Sequence, residues 1–230
     1  MRVLVWHWGR HGAGPRFAVE LAAGFSGLPG VDAKLSLAAG AEILTVPEPP
    51  RCDLLVPTYG GWFGLAGRWV GAAAMLRRVD RALAELRPDL AVCAMPAALD
   101  PIFLAALHRR GIPSVVIAHD AAPHEGDGGR VRAAWDRVVL RQADGFGVLS
   151  RHVGKALAAR YPGMPIFSLW HPPFGMGATM PPRAHGGSLR VLSFGRLRTY
   201  KGLDLLADTL RLLPADWDLR VVGQGPENAA

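Results

Sequence analysis

The chain has 230 residues, half of them hydrophobic, and 26 Lys and Arg against 19 Asp and Glu give a formal net charge of +7. That is enough apolar sequence for a folded, globular protein with a substantial core, and it leans toward more than one folding unit. Two cysteines, Cys52 and Cys93, do not make a disulfide framework or a zinc site, and no apolar run approaches the length of a membrane span.

RVLVWHW (2–8) predicts the first strand, and Gly9, Arg10 and His11 break it too early for a signal peptide. A helix is predicted over 14–25, with Pro15 near its start and Phe17, Leu21 and Ala22 spaced for one face. Strands follow at 31–37, 42–46, 53–57, 89–94, 114–118, 145–149 and 165–169, with helices at 66–86, 99–110, 129–142 and 151–160. SVVIA (114–118) and the LAVCAM run lack period-2 alternation, as strands buried on both faces do. Strands alternating with helices predict an α/β fold, a doubly wound, Rossmann-like parallel sheet over residues 1–170.

HPPFGMGATMPPRAHGGS (171–188) is crowded with Pro and Gly and reads as a linker. After it SLRVLSFG (188–195) predicts a strand, KGLDLLADTLRLL (201–213) a helix with Leu206, Leu210 and Leu213 on one face, and DLRVVG (218–223) a second strand. Residues 189–230 thus form one βαβ unit. So short a sheet leaves backbone groups unpaired, and most of a second domain is expected to be missing.

The strongest local signal is FGRLRTYKGLDLLADTL (194–210), a strand that ends in a glycine loop feeding a helix. The first N–H groups of a helix are unpaired and its dipole favours negative charge there, so this is an anion site. Arg196 adds a guanidinium fork for phosphate and Lys201 a compact point charge. Solvated charges beside a turn are the plainer reading of the two side chains.

These residues resemble the second-domain signature of the large retaining glycosyltransferase family with two facing Rossmann-like domains, the GT-B enzymes of the family 4 or group 1 type. The counterparts are Gly195-Arg196, Lys201-Gly202 and Val222-Gly223-Gln224-Gly225-Pro226. The resemblance implies that Arg196 and Lys201 bind the diphosphate of a nucleotide sugar, with Gly195, Gly202, Gly223 and Gly225 shaping the donor site. In the first domain WGRHGAGPRFAVELA (8–22) looks like the family's glycine-rich loop over donor phosphate and sugar, in which Gly12 and Gly14 would permit close backbone approach. GRHGAG does not match the dinucleotide fingerprint.

His119 and Asp120 stand just past the strand 114–118, at the edge where open α/β sheets bind ligands. By resemblance His119 contacts the donor sugar, the alternative being a histidine that satisfies backbone groups in a turn, and Asp120 is a candidate acceptor contact. Asp120, His124, Glu125 and Asp127 fit no metal template, and no metal or separate cofactor is expected. Ser150 and Arg151 would cap a helix or touch the acceptor, capping being the simpler role. YGGWFGLAGRWVG (59–71), with Arg77, Arg78 and Arg81 after it, would meet an acceptor lipid or a membrane surface, unless Trp62, Phe63 and Trp69 are packing residues.

The activity expected from the resemblance is sugar transfer from a nucleotide diphosphate sugar to a glycan, lipid-linked or small-molecule acceptor hydroxyl, with retention of configuration. His119, Arg196 and Lys201 are its expected catalytic residues. The family's two spaced glutamates have no counterpart here, so the chain alone is expected to be inactive. A non-catalytic sugar- or nucleotide-binding module is the rival reading. Nucleic acid is not expected as a partner, since the basic residues form no run and no recognised motif is present. The expected compartment is the cytoplasm, with room for attachment at the inner face of the membrane.

Overall fold

The computed structural model describes residues 1–121, 129–171, 174, 189–195, 197–213, 217–223 and 225, with the side chains of 129, 130, 132 and 189 left aside. The chain divides into two compact units, Met1–Pro123 with Arg130–Gly175, and His124–Gly129 with Met176–Ala230.

The first unit runs β1 (Arg2–His7), α1 (Ala13–Ser26), β2 (Asp32–Ala38), β3 (Leu54–Val56), α2 (Gly61–Val70), α3 (Ala72–Leu86), β4 (Leu90–Cys93), α4 (Asp100–Arg109), β5 (Ser114–Ala118), α5 (Gly129–Arg141), β6 (Gly145–Val148), α6 (Arg151–Arg160) and β7 (Ile166–Ser168). All seven strands are parallel, in the order β3-β2-β1-β4-β5-β6-β7. The winding reverses between β1 and β4, so the topological switch point, where open sheets of this kind place ligands, lies beyond His7 and Cys93.

Side chains alternate across a strand, and β1 uses both faces. Leu4 and Trp6 join one core with residues of α3 and α4, whereas Val3 and Val5 join the other with Phe17 and Ala18 of α1. Phe103 of α4 packs between Trp6 and Trp8, with ring centroids at 4.8 and 4.7 Å. Burial on both sides is the physical reason that RVLVWH carries no polar alternation.

Two expectations from sequence need correction. Residues 42–46 form no strand. Glu42–Thr45 is a 3-10 turn, closed by the Leu44 N–H on Ala41 O at 3.0 Å and by Thr45 Oγ1 on Glu42 O at 2.7 Å. The prolines at 47, 49 and 50 lack the N–H donors a ladder needs. The single helix expected over 66–86 is two, α2 and α3, divided at Gly71, and α2 starts earlier, at Gly61.

The second unit contains β8 (Leu189–Phe194), a 3-10 turn at Thr199–Lys201, α7 (Leu203–Arg211) and β9 (Trp217–Val222). β8 and β9 pair in parallel, Leu189 opposite Trp217 through Phe194 opposite Val222. Leu210 is buried on α7, while Leu192, Phe194 and Val222 are exposed on the strands. Of the predicted linker only His171 and Phe174 are among the described residues.

Candidate functional site

The carboxyl edge of the first sheet gathers two imidazoles around one turn, one buried and one half-buried. His7, at the end of β1, is buried and donates from Nδ1 to Met95 O at 2.8 Å. A carbonyl can only accept, so Nδ1 carries the ring proton and Nε2 the lone pair. Burial pushes the His7 pKa down to about 4, against the opposing pull of the Met95 hydrogen bond, and the ring is neutral at physiological pH. His119, past the end of β5, donates from Nε2 to Ala94 O at 2.8 Å. Burial likewise lowers its pKa, and Nδ1 is left as an acceptor. The edge of its ring meets Phe17 at 4.9 Å between centroids, and His171 stands 6.3 Å away.

The turn after β4 therefore holds both rings through successive carbonyls, and Asp100 holds the turn. Its Oδ2 accepts the Ala97 N–H at 2.6 Å and its Oδ1 the Trp6 indole N–H at 3.1 Å, with no exposure to solvent. Burial raises the Asp100 pKa to about 7, even though those hydrogen bonds pull the other way. The two thiols lie outside this chemistry. Cys93 is buried beside Asp100, and burial pushes Cys52 up to about 11.

The glycine loop ahead of α1 is fastened at several points. Arg10 donates from Nε to Gly40 O at 3.1 Å and from Nη1 to Tyr59 O at 3.0 Å. Gly12, at φ +83°, donates its N–H to Glu42 Oε1 at 2.7 Å, and the His11 ring lies 3.2 Å from Glu42 Oε2. A carboxylate thus sits at the entrance of α1, where the helix dipole favours negative charge. Gly14 is buried inside the first turn, and a Cβ there, or on Gly9, would collide with the His7 ring.

Asp120 is exposed beside His119. Ser150 caps α6, its Oγ accepting the Val153 N–H at 3.2 Å, and Arg151 is the exposed first residue of that helix. Arg196, Gln224, Pro226, His124, Glu125 and Asp127 lie outside the described residues, among which no three His, Cys, Asp or Glu converge as metal ligands.

In the second unit the predicted glycines pack on one another. Gly195 adopts φ +113°, and a Cβ on it would stand 3.0 Å from Lys201 Nζ, so the ammonium group lies over that glycine. A Cβ on Gly223 would run into the Gly195 carbonyl, and one on Gly225 would come to 2.8 Å from Leu197 Cβ. Gly202, at φ +64°, precedes α7, whose start has no side-chain cap. Such a φ is costly for any residue with a Cβ.

A family model described as the glycosyl transferase 4-like domain matches residues 11–166. The chain belongs to that family. No curated protein sequence matches this glycosyl transferase 4-like chain. Among solved structures it is similar to Anabaena Alr3699/HepE in complex with UDP and glucose, at 18% identity and a TM-score of 0.65, covering 98% of this chain and 61% of that one. The lipopolysaccharide outer core galactosyltransferase WaaB in its apo form gives 13% identity and a TM-score of 0.64, over 99% of this chain and 62% of that one. The UDP-GlcNAc 2-epimerase from Neisseria meningitidis bound to UDP-GlcNAc gives 10% and 0.55, over 100% and 73%. These likenesses show a GT-B, Rossmann-like fold, one that the epimerase shares.

His7, Asp100 and Glu42 were not singled out from the sequence. A histidine inside the otherwise apolar RVLVWHW was the available signal for the first. Asp100 and Glu42 act across the fold and left no local mark.

Proposed function

We propose that the chain takes part in glycosyl transfer from a nucleotide diphosphate sugar to an acceptor hydroxyl, with retention of configuration. The observation that carries this reading is the Lys201 ammonium folded over Gly195, just ahead of the glycine that leads into α7. As the bond to the anomeric carbon lengthens, negative charge grows on the departing diphosphate. A nearby cation and the N–H groups of a helix start stabilise that charge more than the ground state, which lowers the barrier. Arg196 is proposed as the second cation.

In this reading residues 1–170 are the acceptor-side domain and 189–230 the opening of the nucleotide-sugar domain. His119, with its ring proton held on Ala94 O and Nδ1 as an acceptor, receives a hydrogen bond from a sugar hydroxyl. The family membership and solved structures of the same fold that hold UDP with glucose or UDP-GlcNAc support it. The acceptor is a glycan, lipid-linked or small-molecule hydroxyl, approached near Asp120, Ser150 and Arg151. The proposed compartment is the cytoplasm, with contact at the inner face of the membrane. The chain by itself is proposed to bind donor weakly and to turn over little of it.

Calorimetric titration of the chain with UDP-sugars tests the assignment. Lys201→Ala and Arg196→Ala are each expected to weaken binding about tenfold or more, the usual effect of removing a charged hydrogen-bond donor. Unchanged affinity in both would remove the diphosphate grip from this loop.

A further inference from the structure

The helix α2 turns large apolar side chains toward solvent. Trp62 is 83% exposed, Phe63 95% and Val70 91%. Ala66 and Gly67 are exposed with them, so positions 62, 66 and 70 form one row of the helix and 63, 67 and 70 the next. Other residues of the helix make its contacts with the fold. Arg68 donates from Nε to Thr58 O at 2.8 Å, Leu65 packs on the core, and Trp69 meets the Trp135 ring edge-on at 5.3 Å. Burial against the sheet is what orients an ordinary amphipathic helix, and here it leaves on the order of 500 Å² of apolar side chain facing outward.

We propose that α2 is a membrane-docking helix that lies in the surface of an anionic bilayer, with Trp62, Phe63 and Val70 among the acyl chains and Arg77, Arg78 and Arg81 of α3 on the lipid phosphates. The ten residues of α2 are too few to cross a bilayer, and no helix among the described residues is long and apolar enough to do so. An apolar face continued by exposed cations is the composition of an interfacial helix. Charge also selects the occupant. Arg77, Arg78 and Arg81 are exposed on the helix that follows directly, in a chain of net charge +7. A second copy packed on the same face would bring three arginines against three, which like-charge repulsion opposes, whereas anionic headgroups complement them.

The docking helix also starts next to the site. Arg10 of the glycine loop donates to Tyr59 O, two residues before α2 begins. This surface deepens the proposed contact with the inner face of the membrane. Its test involves no sugar transfer, so either reading can fail alone.

Sedimentation of the chain with vesicles of equal phosphatidylglycerol and phosphatidylcholine, and with phosphatidylcholine alone, tests the docking surface. The chain is expected to sediment with the anionic vesicles, less so at high salt. Trp62→Ser with Phe63→Ser is expected to reduce partitioning by about tenfold or more, and each of Arg77→Gln, Arg78→Gln and Arg81→Gln by about fivefold. All five side chains are exposed, so circular dichroism and thermal midpoints are expected to match the parent. Failure of the parent chain to bind anionic vesicles, or equal binding by the variants, overturns the proposal. So does a dimer in light scattering that Trp62→Ser dissolves while vesicle binding stays unchanged, because the face then belongs to a second copy.

Discussion

Among the described residues two helices start behind a glycine at positive φ, and they are finished in different ways. Gly12 leads into α1 at φ +83° and Gly202 into α7 at φ +64°. At α1 the Glu42 carboxylate already accepts the Gly12 N–H, and the His7 ring fills the space a side chain on Gly14 would need. At α7 the cap residue Gly202 has no side chain to offer, Asp204 lies in the first turn, and a lysine ammonium lies over the loop in front of it. The same sequence cue, a glycine-rich turn before a helix, thus marks one terminus whose cap N–H is taken by a carboxylate from across the fold and one with Asp204 in its own first turn and a cation over the loop before it.

The sharpest way to break that contrast is at Gly14. A methyl there enters the His7 ring, and overpacking of this kind costs about 3 kcal/mol. Urea denaturation is expected to report that loss for Gly14→Ala, and adding His7→Ala is expected to recover part of it. A double variant no more stable than Gly14→Ala would mean that the ring is not what requires the glycine. At Gly202 the constraint is conformational. Gly202→Ala is expected to cost about 1 kcal/mol, and Gly202→Asn less, because asparagine tolerates the left-handed region. Hydrogen exchange of the α7 amides is the readout, and equal protection in the parent and both variants would contradict the observed φ. The smallest effect is expected at Glu42. Its carboxylate is half exposed, so Glu42→Gln should change stability by about 0.5 kcal/mol or less. Removing that charge from the entrance of α1 is expected to raise phosphate affinity there about two- to fivefold. An unchanged phosphate titration, followed on the Gly12 amide by NMR, would show that carboxylate and ligand do not compete.

What the sequence disclosed follows the same division. Local signals were read well. SVVIA gave β5 to the residue because solid β-branched burial has few alternatives, and Ser150 marked the start of α6 because its hydroxyl caps the next turn. Lys201 and Gly202 were visible as a motif, although the packing of Gly223 against the Gly195 carbonyl was not. Contacts that span the fold stayed hidden. Glu42 reaches Gly12 across thirty positions, which no window of neighbouring residues reveals, and the stretch around it was read as a strand from its apolar content alone. Packing was the commoner role for Trp62 and Phe63, and burial is decided by which side of α2 the sheet takes.

The chemistry of the two thiols makes the chain convenient to probe. With Cys93 sealed inside and burial pushing the half-buried Cys52 thiol up to about 11, Cys52 is overwhelmingly the unreactive thiol at neutral pH. A cysteine placed at position 62 or 63 would therefore take a maleimide dye almost alone. The colour of that dye would then report directly on the polarity met by the outer side of α2.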